Sequence, residues 1–195
     1  SYEDVDAIYK HTYSSIGDEP YLLQQMANYE RIRSNGSLDK AITLLQKAKE
    51  EAPYDSSILH SLNVVWRDKA SRSEDLHLKR KCRAEARTYL DLIVSKWGMS
   101  SYISSSQIEL SLDSLKDLLS DEYSTEVSIR DSIRKVQLEI TDNKQKYPSE
   151  GHLFSLEAQF ADLINDHERA LKALEKSFEE NDREPYLAIS LSNSY

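Results

Sequence analysis

Cysteine, glycine and proline are scarce in this sequence, and each scarcity removes a class of answer. One cysteine, Cys82, in 195 residues permits no internal disulfide, so burial must hold the fold together and the thiol reads as a packing residue of a reducing compartment. Glycine and proline number four each, well below the usual ~7% and ~5%, which favours long, uninterrupted helices. Nothing approaches the run of about 18 apolar residues that a membrane span needs, nor does a basic-then-apolar leader open the chain. A cytoplasmic protein with no membrane partner is expected. Positive charge is also short: the net charge is -9 with 30% charged residues, which argues against general attraction to nucleic acid or anionic lipid. No two glycines come close enough to cradle a phosphate, and no Gly-Lys-Ser/Thr or serine elbow occurs. His11, His60, His77, His152 and His167 never fall four apart on one helical turn as metal ligands would. Acid pairs such as Glu50-Glu51 read as solvated faces. The expectation is therefore no enzyme, no metal and no cofactor.

What the sequence has is helical periodicity from end to end. Val5, Ile8, Tyr9 and Tyr13 mark a first helix over 2–16. Leu22, Met26, Tyr29 and Ile32 or Arg33 mark a second, and Ala41, Ile42, Leu45, Ala48 and Ala52 a third, each a one-sided apolar stripe. Ile58, Leu62, Val65 and Trp66 outline the next. Cys82, Ala86, Tyr89, Leu90, Ile93 and Trp97 follow, stopping at Gly98. Ile108, Leu112, Leu115 and Leu119 come next, with the run Ser104-Ser105-Ser106 as a candidate break near the start. Then come Ile129, Ile133, Val136, Ile140 and Tyr147; Phe154, Ala158 and Ala161; and Ala170, Leu174 and Phe178. A last helix is expected over 185–195, and strand nowhere. Pro20 and Pro185 stand where helices begin, Pro53 and Pro148 where they end. Turns as short as Ser34-Asn35-Gly36-Ser37 make consecutive helices antiparallel.

The tetrapeptide Glu-Pro-Tyr-Leu occurs at 19–22 and again at 184–187, and each copy opens the first helix of a pair. Around the first copy, Gly36, Leu38, Ala41, Leu45, Ala48 and Pro53 resemble the tetratricopeptide pattern, in which a small residue sits where two helices cross closely. Phe154, Ala158, Ala170 and Leu174 repeat it more loosely. The fold class expected is all-α, an antiparallel helix-hairpin solenoid of irregular tetratricopeptide-like repeats with about ten helices. One domain over 1–195 is expected, with repeat units at 20–55, 56–99, 100–149 and 150–184 and flanking helices at 2–16 and 185–195. The start at Ser1 and the stop at Tyr195 inside an apolar-periodic segment read as a piece of a longer protein.

In stacked hairpins the first helix of each pair lines the concave surface, where peptides and protein elements bind. That places Glu30, Arg31, Asn63, Trp66, Arg67, Gln159 and Asp162 on the candidate partner-binding face, with Trp66 as an anchor if exposed. A carboxylate clamp is not supported, since Gln24 stands where its first cation belongs. A second reading uses the basic helix: Lys79, Arg80, Arg83 and Arg87 share a flank that could meet phosphates as a nucleic-acid-binding module. Over most of its length, from "EPYLLQQMANYERIRSNGSLDKAITLLQKAKEE" to "HLFSLEAQFADLINDHERALKALEKSFEENDREPYLA", the chain resembles the helical-repeat region that follows sirtuin-like or signal-transducing ATPase domains in bacterial antiviral defence proteins. The resemblance implies a non-catalytic sensor or assembly arm, whose partners are a protein or peptide ligand and other domains of its parent chain.

Overall fold

The computed structural model describes residues 2–180. Nine helices account for nearly all of them: α1 (Tyr2–Ile16), α2 (Pro20–Ile32), α3 (Leu38–Glu51), α4 (Ser56–Arg72), α5 (Leu76–Trp97), α6 (Ser101–Ser120), α7 (Glu126–Lys146), α8 (Gly151–Leu163) and α9 (His167–Glu180). No strand occurs among the described residues. The protein is all-α, a helical-repeat fold of packed neighbouring pairs. The second Glu-Pro-Tyr-Leu copy and the helix expected over 185–195 lie outside the described residues.

Helix ends follow the local chemistry. Glu19 caps α2 through the Leu22 amide at 2.6 Å with Pro20 at the first turn, where a missing N–H costs nothing. Ser37 caps α3, Asp55 α4, Asp75 α5, Ser100 α6 and Thr125 α7, each side-chain oxygen satisfying amides that have no partner within the helix. Pro53 and Pro148 fall just past the ends of α3 and α7.

The chain forms two compact units, one up to Gly98 and one from Met99. In the first, α2 packs on α3 and α4 on α5, α3 meets α4, and α2 touches α4 directly. Leu23, Ala41, Leu45, Ala48, Leu59, Leu62, Val65, Ala86 and Leu90 form its core. In the second, α6 packs on α7 and α8 on α9, α7 meets α8, and α6 touches α8. Ile108, Leu112, Leu115, Val136, Ile140, Leu153, Leu156 and Phe160 are its core. Within each unit, then, a hairpin leans on the next in sequence order, first helix beside first helix.

Three expectations need correction. The buried side of α2 is Leu22, Leu23, Gln24, Ala27 and Glu30, while Ile32 is 68% exposed. The stripe is turned about 100° from the one marked by its large apolar residues. The physical reason is that α3 and α4 pack on α2 and meet Gln24 and Glu30 through Ser57, Ser61 and Lys40, while α1 reaches only the flank with Tyr29, whose ring centroid lies 5.4 Å from that of Tyr9. Nor do the three serines break α6. Ser104, Ser105 and Ser106 are helical and buried, and the Ser104 hydroxyl bonds the Asn143 side chain of α7; small hydroxyls fit a close crossing and bond across it. Trp97 and Leu119, read as ends of apolar stripes, are 50% and 42% exposed.

Candidate functional site

The first-helix side of the amino-terminal unit is built by α2 and α4 lying along one another. Gln24 of α2 is buried and donates to the hydroxyls of Ser57 and Ser61 on α4 at 3.2 and 2.9 Å. One heptad further along, Arg31 meets Asp68 at 3.0 Å, and Arg72 donates to the Arg31 carbonyl at 3.0 Å. The bonds Gln24–Ser61 and Arg31–Asp68 both join residues 37 apart, so the two helices hold one register over two turns. Sequence reading missed Gln24, Ser57, Ser61 and Asp68. The signal was present in the matched seven-residue spacings, but neutral polar pairs carry no pattern of their own.

The residues expected on this face divide by burial. Arg31, Trp66 and Arg67 are half-buried at the surface, and Lys69 Nζ lies 5.3 Å from the centroid of the Trp66 ring. Trp66 is a correction as well: nine residues from Ser57, it lies about 180° around α4 from the edge that meets α2, on the side where Lys69 pairs with Asp39 of α3. Glu30 and Asn63 are corrections: both are interior, 2% and 0% exposed. Asn63 donates to the Ala86 carbonyl at 3.0 Å, tying α4 to α5. Glu30 accepts from Arg33 Nη2 at 2.9 Å, the Ser37 amide at 3.3 Å and Lys40 Nζ, closing the α2–α3 turn. Burial works to raise the Glu30 carboxyl, and the bonds from Lys40, Ser37 and Arg33 outweigh it and hold it below its ordinary range. Both residues continue helical stripes that the sequence, by polarity, assigned to solvent.

The basic flank of α5 is also altered. Arg80 is exposed, Lys79 and Arg87 are half-buried, and Arg83 is 8% exposed. The buried stripe of α5 runs through Cys82, Ala86, Tyr89, Leu90 and Ile93, and position 83 falls on its edge while 80 and 87 turn away. All four already interact within the chain. They do not make one open row of cations.

In the second unit the corresponding face joins α6 and α8 through Glu109 and His152, 3.2 Å apart. Gln159 and Asp162 lie on the same side of α8 and are exposed, and Asp162 is 3.9 Å from His167. On the other side of α8, Glu157 accepts from Arg169 Nη2 at 2.8 Å and Nε at 3.0 Å and from Lys144. Arg169 also reaches Gln137 on α7 at 2.5 Å. Burial pushes the Glu157 carboxyl up, and the Lys144 and Arg169 bonds more than reverse it. No cluster of three or more metal-ligating His, Cys, Asp or Glu side chains occurs among the described residues, and no described helix is long and apolar enough to cross a membrane.

Comparison with known proteins gives no family. No protein-family model matches the chain, and no curated protein is significantly similar to it.

Proposed function

We propose that the chain is a non-catalytic protein-interaction scaffold whose first-helix faces hold a protein or peptide ligand. The observation that supports this best is the direct lateral contact of α2 with α4 and of α6 with α8. Such contact makes one face out of helices from successive hairpins, longer than any single helix offers. In the first unit that face carries Arg31 and Arg67 at partial exposure; in the second it carries Gln159 and Asp162 in solvent. Arginines and adaptable polar groups suit a contact surface. The sequence resemblance to defence-protein repeat regions extends the proposal to a sensor or assembly arm of a larger bacterial defence or signalling protein, and that extension rests on the resemblance alone.

The test is affinity capture with the immobilised chain against its Arg67→Glu and Asp162→Lys variants, with and without nuclease. A protein retained after nuclease and lost from either variant, with helical content unchanged, is the expected result. Capture abolished by nuclease and by Arg80→Glu would instead move the reading to a nucleic-acid-binding module. Capture equal in all variants would remove the first-helix faces from the proposal.

A further inference from the structure

A cleft of about 340 Å³ lies between α1 and the α2–α3 hairpin of the first unit. Its walls are regular: α1 contributes positions 6, 9, 10 and 13 and α2 positions 26, 29, 30 and 33, each a single stripe at helical spacing. Tyr9, Tyr13, Met26, Tyr29 and Leu44, all half-buried, form the apolar surface. Packed interiors leave few voids larger than one water, whereas this hollow reaches the lower end of small-ligand sites, about 300 to 1,000 Å³. The charges around it are mostly engaged. Arg33 meets Asp6 at 3.1 Å and Glu30 at 2.8 Å, and Lys40 also meets Glu30. Both carboxylates therefore already have their cations. Lys10 does not share in this: it is exposed at the rim, and its ammonium has no ion-pair partner among the described residues.

We propose that this cleft binds a small aromatic carboxylate, its ring against Tyr9, Tyr13 and Met26 and its anionic group on Lys10. The lining selects both parts of that ligand. Aromatic rings pair in tilted or offset contact, as Tyr9 and Tyr29 already do with centroids 5.4 Å apart and planes at 46°, and a methionine thioether favours an aromatic neighbour. The Arg33 guanidinium lies over Tyr29 at 5.3 Å, so Tyr9 and Tyr13 are the rings left to a ligand. Charge decides the rest. A cationic ligand would find Asp6 and Glu30 engaged and would face Lys10, whereas an anionic one gives Lys10 the partner it lacks. The site is separate from the Gln24 and Arg31 contacts of α2 with α4, and it stands whether or not the first-helix faces bind a partner.

The experiment is a ¹⁵N–¹H titration of the whole chain with phenylpropionate, its neutral amide, phenethylamine and propionate. Expected are saturable, salt-sensitive shifts at residues 6–13, 26–33 and 40–44 with phenylpropionate, and binding about fivefold or more weaker with the other three. Lys10→Gln should weaken phenylpropionate about fivefold, to the level of the amide, and Lys10→Arg should retain it. Lys10 is exposed, so both variants keep a folded spectrum against which binding is read. Leu44→Phe, which fills the hollow, should abolish the shifts. Acetyl-Gly-Phe carries the same ring and carboxylate at a chain end; tighter binding of it supports the site with a peptide terminus as the source, and weaker binding supports it with a free small molecule. Absent or non-saturating shifts with phenylpropionate, shifts confined to other residues, or equal binding of the amide or the amine would each overturn the proposal. Propionate saturating to the same extent would mean that a small anion suffices, which overturns it too.

Discussion

Two interior carboxylates, Glu30 and Glu157, show how single residues close this fold. Each sits on the first helix of a hairpin and accepts from cations of neighbouring segments, Arg33 and Lys40 in one case and Lys144 and Arg169 in the other. Both titrate below the ordinary 4.5 because those hydrogen bonds exceed the cost of burial. A carboxyl with a lowered folded pKa adds stability that is complete above its unfolded value and disappears as pH falls through the folded one. Urea unfolding across the acid range should accordingly show stability falling below about pH 4.5, with the fall shallower in Glu30→Gln and Glu157→Gln. At neutral pH each substitution should cost about 1–3 kcal/mol, since charge-assisted hydrogen bonds are lost at a largely buried side chain. Gly36 is the second residue-scale constraint. A Cβ there would lie 1.8 Å from the Glu30 carbonyl oxygen and 2.9 Å from Arg33 Cγ, so the turn must open to admit it. Gly36→Ala should lower stability by about 1–3 kcal/mol in the same assay; no change would mean that the turn adapts freely.

Helices owe their faces to their neighbours. The third helix, α3, buries Ala41, Ile42, Leu45 and Ala48, the stripe its apolar residues mark, since α2 and α4 cover it from adjoining directions. By contrast, α2 has additional contact with α1, through the Tyr9–Tyr29 ring pair and the Arg33–Asp6 ion pair at 3.1 Å. Gln24 and Glu30 are interior on other sides of the helix, where Ser57 and Ser61 of α4 and Lys40 of α3 meet them. Ala41 and Ala170 are 0% and 4% exposed at helix crossings. Enlarging either to leucine should destabilise by about 1–3 kcal/mol through overcrowding. Thermal melts of Ala41→Leu and Ala170→Leu check this, and unchanged midpoints in both would mean that the crossings have room to spare.

At the scale of the whole molecule, the two units each have a core of their own. The boundary falls at Gly98, whose φ of 80° is left-handed and suits glycine at a helix end, with Trp97 and Met99 both largely exposed beside it. Limited chymotrypsin digestion should cut first at this point. A recombinant 1–98 chain should retain helical circular dichroism and melt cooperatively, because its hairpins bury their apolar sides on each other. A fragment that is helical but melts without cooperativity would show that its two stacked hairpins do not suffice for a fixed core.

The sequence by itself determined the all-α class, the start of α2 at Pro20, the ends of α3 and α7 before Pro53 and Pro148, and the core stripes of α3, α5 and α7. Those features depend on local chemistry, on where an amide is missing or an apolar residue recurs every three or four positions, and such information survives without a third dimension. Only the tertiary structure decided which polar residues go inside. Glu30, Asn63 and Gln24 look solvated when read in line; they are buried because another segment brings the matching donor or acceptor within hydrogen-bond distance. The gathering of Tyr9, Tyr13, Met26 and Leu44 around one cleft was invisible for the same reason. Burial and complementarity belong to pairs of segments, and no single stretch of sequence states who its neighbour will be.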